Sequence, residues 1–152
     1  MKLQGSEKFV GVTAVLAAFQ IDGRGATGRG WKYRSAVYGA LGTVEINDQI
    51  NGLRTILRRR SFLDANRLSV YGWSYGGYAS ALIVERAPLG FFKCAISVAP
   101  SANFLYYDAT YTERYMGIFQ NSSVFYANAI TKNVTNFEKT RLLLIHGLYD
   151  GL

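Results

Sequence analysis

The sequence contains very little cysteine, proline or histidine. Its 152 residues include one cysteine, two prolines and one histidine. A single cysteine, Cys94, excludes a scaffold held by internal disulfides and a zinc site built from cysteines of this chain. The scarcity of proline excludes a proline-rich linker. We therefore expect Cys94 either to lie in the core or to pair with a cysteine outside the sequence.

Long hydrophobic runs are absent as well. The longest apolar stretch extends from Phe9 to Ile21 and is interrupted by glycine, threonine and glutamine residues. A helix that crosses a bilayer needs roughly 20 apolar residues, so we expect no transmembrane segment in this chain. Lys2 and Lys8 imitate the basic start of a signal peptide, but the β-branched residues that follow favour a buried strand.

Acidic residues are fewer than basic ones, and the net charge is +7. Such an excess favours an anionic partner such as nucleic acid. However, the only dense basic cluster, Arg58 to Arg60, ends a predicted helix, where positive charge stabilises the helix dipole. The other basic residues are scattered singly and are not interleaved with aromatic residues as in RNA-binding patterns. We therefore predict no nucleic-acid partner.

Strands and helices alternate along the chain, without internal repeats or linkers. The predicted strands occupy residues 10–19, 68–71, 91–98 and 141–145. Apolar residues at helical spacing predict one helix at 43–60, capped by Thr43, and another at 75–87, ended by Pro88. The segment after residue 98 is rich in aromatic residues and helix formers. This alternation is typical of a parallel α/β sheet in one domain.

A glycine-rich stretch, Gly23 to Gly28, matches the G-x-G-x-x-G pattern of dinucleotide-binding loops. In such loops a helix begins directly after the glycines and an acidic residue closes a second strand about twenty residues later. Here the next predicted helix begins only at about residue 43, and Glu45 and Asp48 lie inside it. The context favours a structural turn over a nucleotide site.

The strongest motif is the G-x-S-x-G pentapeptide from Gly72 to Gly76. It lies between a predicted strand and a predicted helix, which is the arrangement of a nucleophile elbow. We expect the glycines at 72 and 76 to let strand and helix pass close together, so that the turn presents the Ser74 hydroxyl. The backbone N–H of Tyr75 would then stabilise negative charge on a substrate carbonyl oxygen.

Hydrolases with this elbow have an acid and then a histidine after the serine. Asp150 follows the strand 141–145 and lies at the edge where catalytic groups of parallel sheets gather, which favours it over Asp108 and Glu113 in the middle segment. The only histidine, His146, precedes Asp150, so we predict a structural role for it. The catalytic base is then missing from these residues, and the isolated chain should be inactive.

Several runs, in order and with compatible spacing, make the sequence resemble the dipeptidyl peptidase IV group of the prolyl oligopeptidase serine peptidases. The most specific of these runs are Asp22–Gly25, Gly72–Tyr78, Tyr106–Asp108, Tyr111–Gly117 and Leu144–Gly147. The resemblance implies an α/β-hydrolase fold with a partial parallel sheet. It also implies that residues 1–152 are the central part of a catalytic domain truncated at both ends.

The resemblance assigns roles residue by residue. Ser74 becomes the nucleophile, Asp150 the acid and Tyr75 a backbone oxyanion donor, while Tyr75, Tyr107 and Tyr111 line a pocket for a proline ring. The activity implied is release of N-terminal dipeptides with Pro or Ala in second position, through an acyl-enzyme. No metal or organic cofactor is implied. Phe104, Tyr107, Tyr111 and Tyr115 also recur at helical spacing, a stripe that is in general more often core than pocket.

The resemblance also implies partners and a location. Family members carry a β-propeller domain, are often homodimers, act on peptides, and are extracellular or on the cell surface. Cys94 matches a cysteine that the family bridges to one further downstream, and Asn121 and Asn133 begin glycosylation sequons. The sequence departs from the family at Phe104, where the family has tryptophan, and at Ser101, where it has a hydrophobic residue.

Two other functions remain open. An esterase or lipase can use the same fold and elbow, because a fold does not choose its acyl substrate. The missing histidine and a sheet that would leave apolar edges uncovered also allow a non-catalytic remnant with a binding role.

Overall fold

A computed structural model describes residues 16–150. Within that range the α-helices are Trp31–Arg34 (α1), Val44–Arg59 (α2), Tyr75–Arg86 (α3), Ala109–Met116 (α4) and Phe119–Asn128 (α5). The β-strands are Ser69–Trp73 (β1), Cys94–Val98 (β2) and Arg141–Ile145 (β3). Short 3-10 helices cover Ser35–Val37, Phe104–Tyr106 and Thr135–Lys139. No helix among the described residues has the length and apolar character needed to cross a membrane.

The three strands form a parallel sheet in the order β1, β2, β3. The predicted strand 141–145 is confirmed, and β1 continues two residues further than predicted because its pairing with β2 extends to Trp73. The strand predicted at 91–98 begins only at Cys94. Phe91 lies in a turn, where its backbone N–H donates to Pro88, and its ring packs edge-on against Phe92.

The predicted strand at residues 10–19 lies mostly outside the described part of the chain. Of its four described residues, only Ala18 takes part in a β-bridge. The residues from Lys2 to Val15, which include the basic start and the first part of this predicted strand, lie outside the described range.

The core lies between the sheet and helix α3, and between α3 and helix α2. Helix α3 crosses β1 and β2 and buries Tyr78, Leu82 and Val84 almost completely. Helix α2 contributes Ile46 and Ile50, whose four-residue spacing places both on the face that meets α3. Removing this apolar surface from water is the main force that holds α3 on the sheet and α2 on α3.

Strand β3 is only partly covered by the other described residues. Its run of four aliphatic side chains, Leu142 to Ile145, is 44% to 57% exposed on both faces. A continuous aliphatic run of this kind is typical of a parallel strand that is buried on both sides. The exposure of this run confirms the prediction that the sheet leaves apolar strand surface uncovered.

The N-terminus of α2 is capped differently from the prediction. Thr43 occupies the cap position, but its hydroxyl donates to the carbonyl of Ala40 instead of accepting from the helix. The carboxylate of Glu45 accepts from the backbone N–H groups of Gly42 and Thr43, which leaves this negative charge at the positive end of the helix dipole. The expected basic C-terminus is confirmed by Arg58 and Arg59.

The glycine-rich stretch forms turns that are fixed to α2. Arg24 makes two side-chain hydrogen bonds, at 2.8 and 2.9 Å, to Asp48, and its backbone N–H donates to the same carboxylate at 2.9 Å. The prediction that no helix follows these glycines was wrong, because α1 begins at Trp31, directly after Gly30. That helix has only four residues, and Gly25 is held by a hydrogen bond to the carbonyl of Tyr33.

We expect Asp48→Asn to reduce stability at neutral pH but not at strongly acidic pH. Hydrogen bonding to Arg24 lowers the pKa of Asp48 below its ordinary value of 3.8. A depressed carboxyl pKa stabilises the fold above the unfolded-state pKa, and this contribution is lost as the pH falls through the folded-state pKa. The difference in unfolding free energy between wild type and variant should therefore shrink as the pH falls below the ordinary aspartate value of 3.8 and through the lowered folded-state pKa. Urea unfolding at a series of pH values measures it, and a constant difference would contradict this role.

Candidate active site

Ser74 occupies a sharp turn between β1 and α3. Its backbone has φ +56° and ψ −119°, a left-handed conformation that few residues other than glycine adopt. The turn is held from both sides, because the Ser74 N–H donates to Val98 at 2.8 Å and the Ser74 carbonyl accepts from Tyr78 at 3.1 Å. Ser74 itself is exposed. A strained, exposed serine between a strand and a helix is the geometry of the predicted nucleophile elbow.

Two glycines allow this turn, and one of them was not predicted. A Cβ at Gly72 would lie 1.9 Å from the carbonyl oxygen of Gly76, and a Cβ at Gly77 would lie 2.5 Å from that of Val98. Gly76 has open space where its Cβ would be, so the prediction that it must lack a side chain for packing was wrong. It is the backbone of residue 76 that leaves no room for a side chain, and it does so at position 72. The doubled glycine in the motif was the available signal for position 77.

The carboxyl ends of the three strands lie side by side next to Ser74. Trp73, Val98 and Ile145 are in register, and the N–H of Ala99 donates to Ile145 at 2.7 Å. Asp150 follows β3 in a turn where its N–H donates to Gly147 at 3.2 Å. Because β1 and β3 are separated by one strand, their ends lie about 10 Å apart. Ser74 and the turn of Asp150 therefore share one edge of the sheet.

The other candidate groups have different positions. The carboxylate of Asp108 caps α4 by accepting from the N–H of Tyr111 at 2.9 Å, and Glu113 is exposed within that helix. His146 is exposed directly after β3, with Nδ1 3.2 Å from the carbonyl oxygen of Gly147. Asp108 thus has a structural function that is independent of catalysis.

The aromatic residues after β2 form one cluster, although not on one helix. Tyr111 stacks on Phe104 with ring centroids 6.3 Å apart and lies 5.5 Å from Tyr107 and 4.9 Å from Tyr115. Their helical spacing does not reflect one continuous helix, since Phe104 belongs to a 3-10 turn and Tyr107 is extended before α4. Burial, followed by the proximity of Tyr115, raises the pKa of Tyr111 to about 12.

Tyr75 connects this cluster to the elbow. Its ring lies 6.2 Å from Phe104 and 5.4 Å from Tyr78, and its hydroxyl donates to Glu45 at 2.7 Å. Burial raises the pKa of the Tyr75 hydroxyl far above its ordinary range, and the nearby charge of Glu45 raises it further. The Tyr78 hydroxyl is buried without a hydrogen-bond partner among the described residues. Tyr75 thus contributes a backbone N–H beside Ser74 and a ring to the aromatic cluster.

A family model described as the prolyl oligopeptidase family matches residues 11–151. The chain belongs to the prolyl oligopeptidase family. The match includes the elbow, the aromatic cluster and the turn that carries Asp150, so the described geometry is that of a prolyl oligopeptidase family member.

Individual relatives in the prolyl oligopeptidase family are dipeptidyl peptidases. The chain is 56% identical to dipeptidyl peptidase family member 1 of Caenorhabditis elegans, over 96% of this chain and 18% of that protein. It is 42% identical to dipeptidyl peptidase 4 of Felis catus, over 90% of this chain and 18% of that protein. The chain therefore spans less than a fifth of the length of these relatives.

A crystal structure of dipeptidyl peptidase 4 from Porphyromonas gingivalis resembles the fold. It superposes with a TM-score of 0.73 at 35% sequence identity and covers 83% of this chain and 18% of that one. The expected α/β-hydrolase fold of a prolyl oligopeptidase family member is confirmed.

Proposed function

We propose that the full-length protein containing this sequence is a serine exopeptidase that releases N-terminal dipeptides with Pro or Ala in second position. The observation that carries the proposal is the constrained, exposed position of Ser74 between β1 and α3. The Ser74 Oγ attacks the carbonyl carbon of the second residue while its proton passes to an imidazole. The C–N bond breaks, the amine leaves with that proton, and water hydrolyses the resulting ester.

Asp150 orients the imidazole in this proposal, and the N–H of Tyr75 stabilises the oxyanion. Both lie at the carboxyl edge of the sheet, or next to it, together with Ser74. The imidazole belongs to a histidine outside these residues, because His146 directly follows β3 and precedes the acid. On this proposal the 152 residues alone have no proton acceptor of the required kind and should be inactive.

The pocket for the second substrate residue is assigned to Tyr75, Tyr107 and Tyr111. Their rings meet around Phe104 with centroid distances between 5.5 and 6.3 Å. Flat aromatic walls suit a proline ring, which offers apolar surface and little hydrogen-bonding capacity. The same walls leave room for the smaller alanine side chain.

The remaining proposals concern the whole protein. A β-propeller domain would bind the substrate amine, and two copies would form a homodimer. We assign the protein to the extracellular space or the cell surface, with glycans at the exposed Asn121 and Asn133 and a disulfide from Cys94 to a downstream cysteine. The names of two relatives, venom dipeptidyl peptidase 4 of Apis mellifera and of Vespa velutina, are consistent with an exported protein.

The test measures hydrolysis of three substrates by the full-length protein: Gly-Pro-p-nitroanilide, the same anilide with an acetylated amine, and the ester p-nitrophenyl acetate. We expect hydrolysis of Gly-Pro-p-nitroanilide with kcat/KM at least 100-fold above that for the same substrate with an acetylated amine, because an exopeptidase requires the free N-terminus. Activity on p-nitrophenyl acetate without activity on Gly-Pro-p-nitroanilide would favour an esterase. Activity on neither would favour the non-catalytic remnant.

A further inference from the structure

Glu45 joins two elements that meet behind the elbow. One carboxylate oxygen accepts from the Tyr75 hydroxyl at 2.7 Å and also from the N–H of Gly42, and the other accepts from Thr43 at 3.2 Å. Glu45 lies in the first turn of α2, whereas Tyr75 is the first residue of α3. A single carboxylate therefore connects the start of one helix to the start of the other.

The Tyr75 side chain is held at both ends by these contacts. Its ring packs against Tyr78 and Phe104, and its hydroxyl is fixed by a charge-assisted hydrogen bond to Glu45. Because the raised pKa of Tyr75 keeps the hydroxyl protonated, it remains a donor at neutral pH. The side chain has no other hydrogen bond among the described residues. The position of the hydroxyl end therefore depends on Glu45.

The anchoring matters because Tyr75 directly follows the serine. An oxyanion donor must lie within about 0.5 Å of its productive position to stabilise the transition state fully. The turn at Ser74 is strained, and a strained backbone keeps its conformation only where the surroundings over-determine it. The hydrogen bond from the Tyr75 hydroxyl to Glu45 supplies one such restraint, in addition to the hydrogen bond from the Ser74 N–H to Val98.

We propose that Glu45 is a positioning residue that fixes Tyr75, and thereby the oxyanion N–H and one wall of the aromatic pocket, through the Tyr75 hydroxyl. This inference rests on the proposed roles of Ser74 and Tyr75. It assigns to the acidic residue at the start of α2 a function besides capping that helix.

The two functions of Glu45 can be separated by a pair of variants. Tyr75→Phe removes only the hydroxyl and leaves the ring, the backbone N–H and the cap of α2 in place. Glu45→Gln keeps the shape of the side chain but loses its charge and one of its two acceptor oxygens, which three donors share. Asp48→Asn is the matched control, since Asp48 is a carboxylate of the same helix that bonds to Arg24 and not to the elbow.

The experiment is a double-mutant cycle on kcat for Gly-Pro-p-nitroanilide in the full-length protein. We expect each single variant to lower kcat about 3- to 10-fold, with a smaller change in KM, because a displaced oxyanion donor affects mainly the transition state. In the Glu45→Gln background, Tyr75→Phe should change kcat less than about twofold. Asp48→Asn should leave kcat within about twofold of wild type.

Equal effects of Tyr75→Phe in both backgrounds would overturn the inference, because Glu45 would then act only as a helix cap. Unchanged kcat in both single variants would overturn it as well. Failure of the proposed function can be told apart from failure of this inference. If Ser74 is not the nucleophile, Ser74→Ala would retain the Gly-Pro-p-nitroanilide hydrolysis on which the cycle is measured.

Discussion

Replacing Ser74 by alanine is expected to lower kcat on Gly-Pro-p-nitroanilide by at least about four orders of magnitude in the full-length protein. Without the hydroxyl no acyl-enzyme can form, and only binding and oxyanion contacts remain to accelerate the reaction. The fold should be retained, because the Ser74 side chain does not cap α3 and alanine is no more strained than serine at a φ of +56°. Steady-state kinetics together with thermal unfolding would measure both effects.

Ser69→Ala is the matched control for this variant. Ser69 is an exposed serine at the opposite end of the same strand, where its backbone pairs with Cys94. We expect it to leave kcat and the unfolding temperature almost unchanged. Comparable loss of activity in both variants, or a lower unfolding temperature for Ser74→Ala alone, would mean that the lost activity reflects damage to the fold.

Gly72→Ala is expected to destabilise the domain by more than about 3 kcal/mol and to abolish soluble, active protein. The added Cβ would lie 1.9 Å from the oxygen and 2.2 Å from the carbonyl carbon of Gly76. Because these are backbone atoms of α3, relief requires the whole helix to move away from β1, and the core residues Tyr78 and Leu82 would move with it.

Gly76→Ala offers a control four residues away in the same motif. Its Cβ would meet nothing within 4 Å, and alanine is preferred to glycine inside a helix by up to about 1 kcal/mol. We therefore expect an unfolding temperature equal to or higher than that of wild type. The comparison of soluble yield and unfolding temperature tests the packing directly. Similar behaviour of the two variants would contradict the close approach of β1 and α3.

Local sequence patterns were sufficient to predict the elements around the elbow. The strand Arg141–Ile145 and the helices α2 and α3 follow from apolar spacing and from Pro88, and Ser74 follows from the glycines beside it. Each depends on residues close together in sequence, for which periodicity and backbone preference are informative. The break between Phe104 and α4 was not predicted, although Asn103 and Asp108, which each cap the element after them, were the available signal.

The contacts that the sequence did not reveal join residues far apart in the chain. The hydrogen bond from Tyr75 to Glu45, and that from Arg24 to Asp48, depend on how α2 is placed against α3 and against the glycine-rich turns. Spacing along one element contains no information about the distance between two elements. For the same reason the doubled glycine marked position 77 as unusual but did not reveal its neighbour, the backbone of Val98.

The central claim is that Ser74 is the nucleophile, and covalent trapping tests it most directly. The full-length protein would be treated with a phosphonate ester that mimics a prolyl dipeptide and would then be digested with trypsin, which releases residues 68–86 as one peptide. Fragment masses should locate the adduct on Ser74, and Gly-Pro-p-nitroanilide hydrolysis should fall in proportion to labelling. An adduct on Ser69 or Ser80, or loss of activity without an adduct on this peptide, would contradict the account.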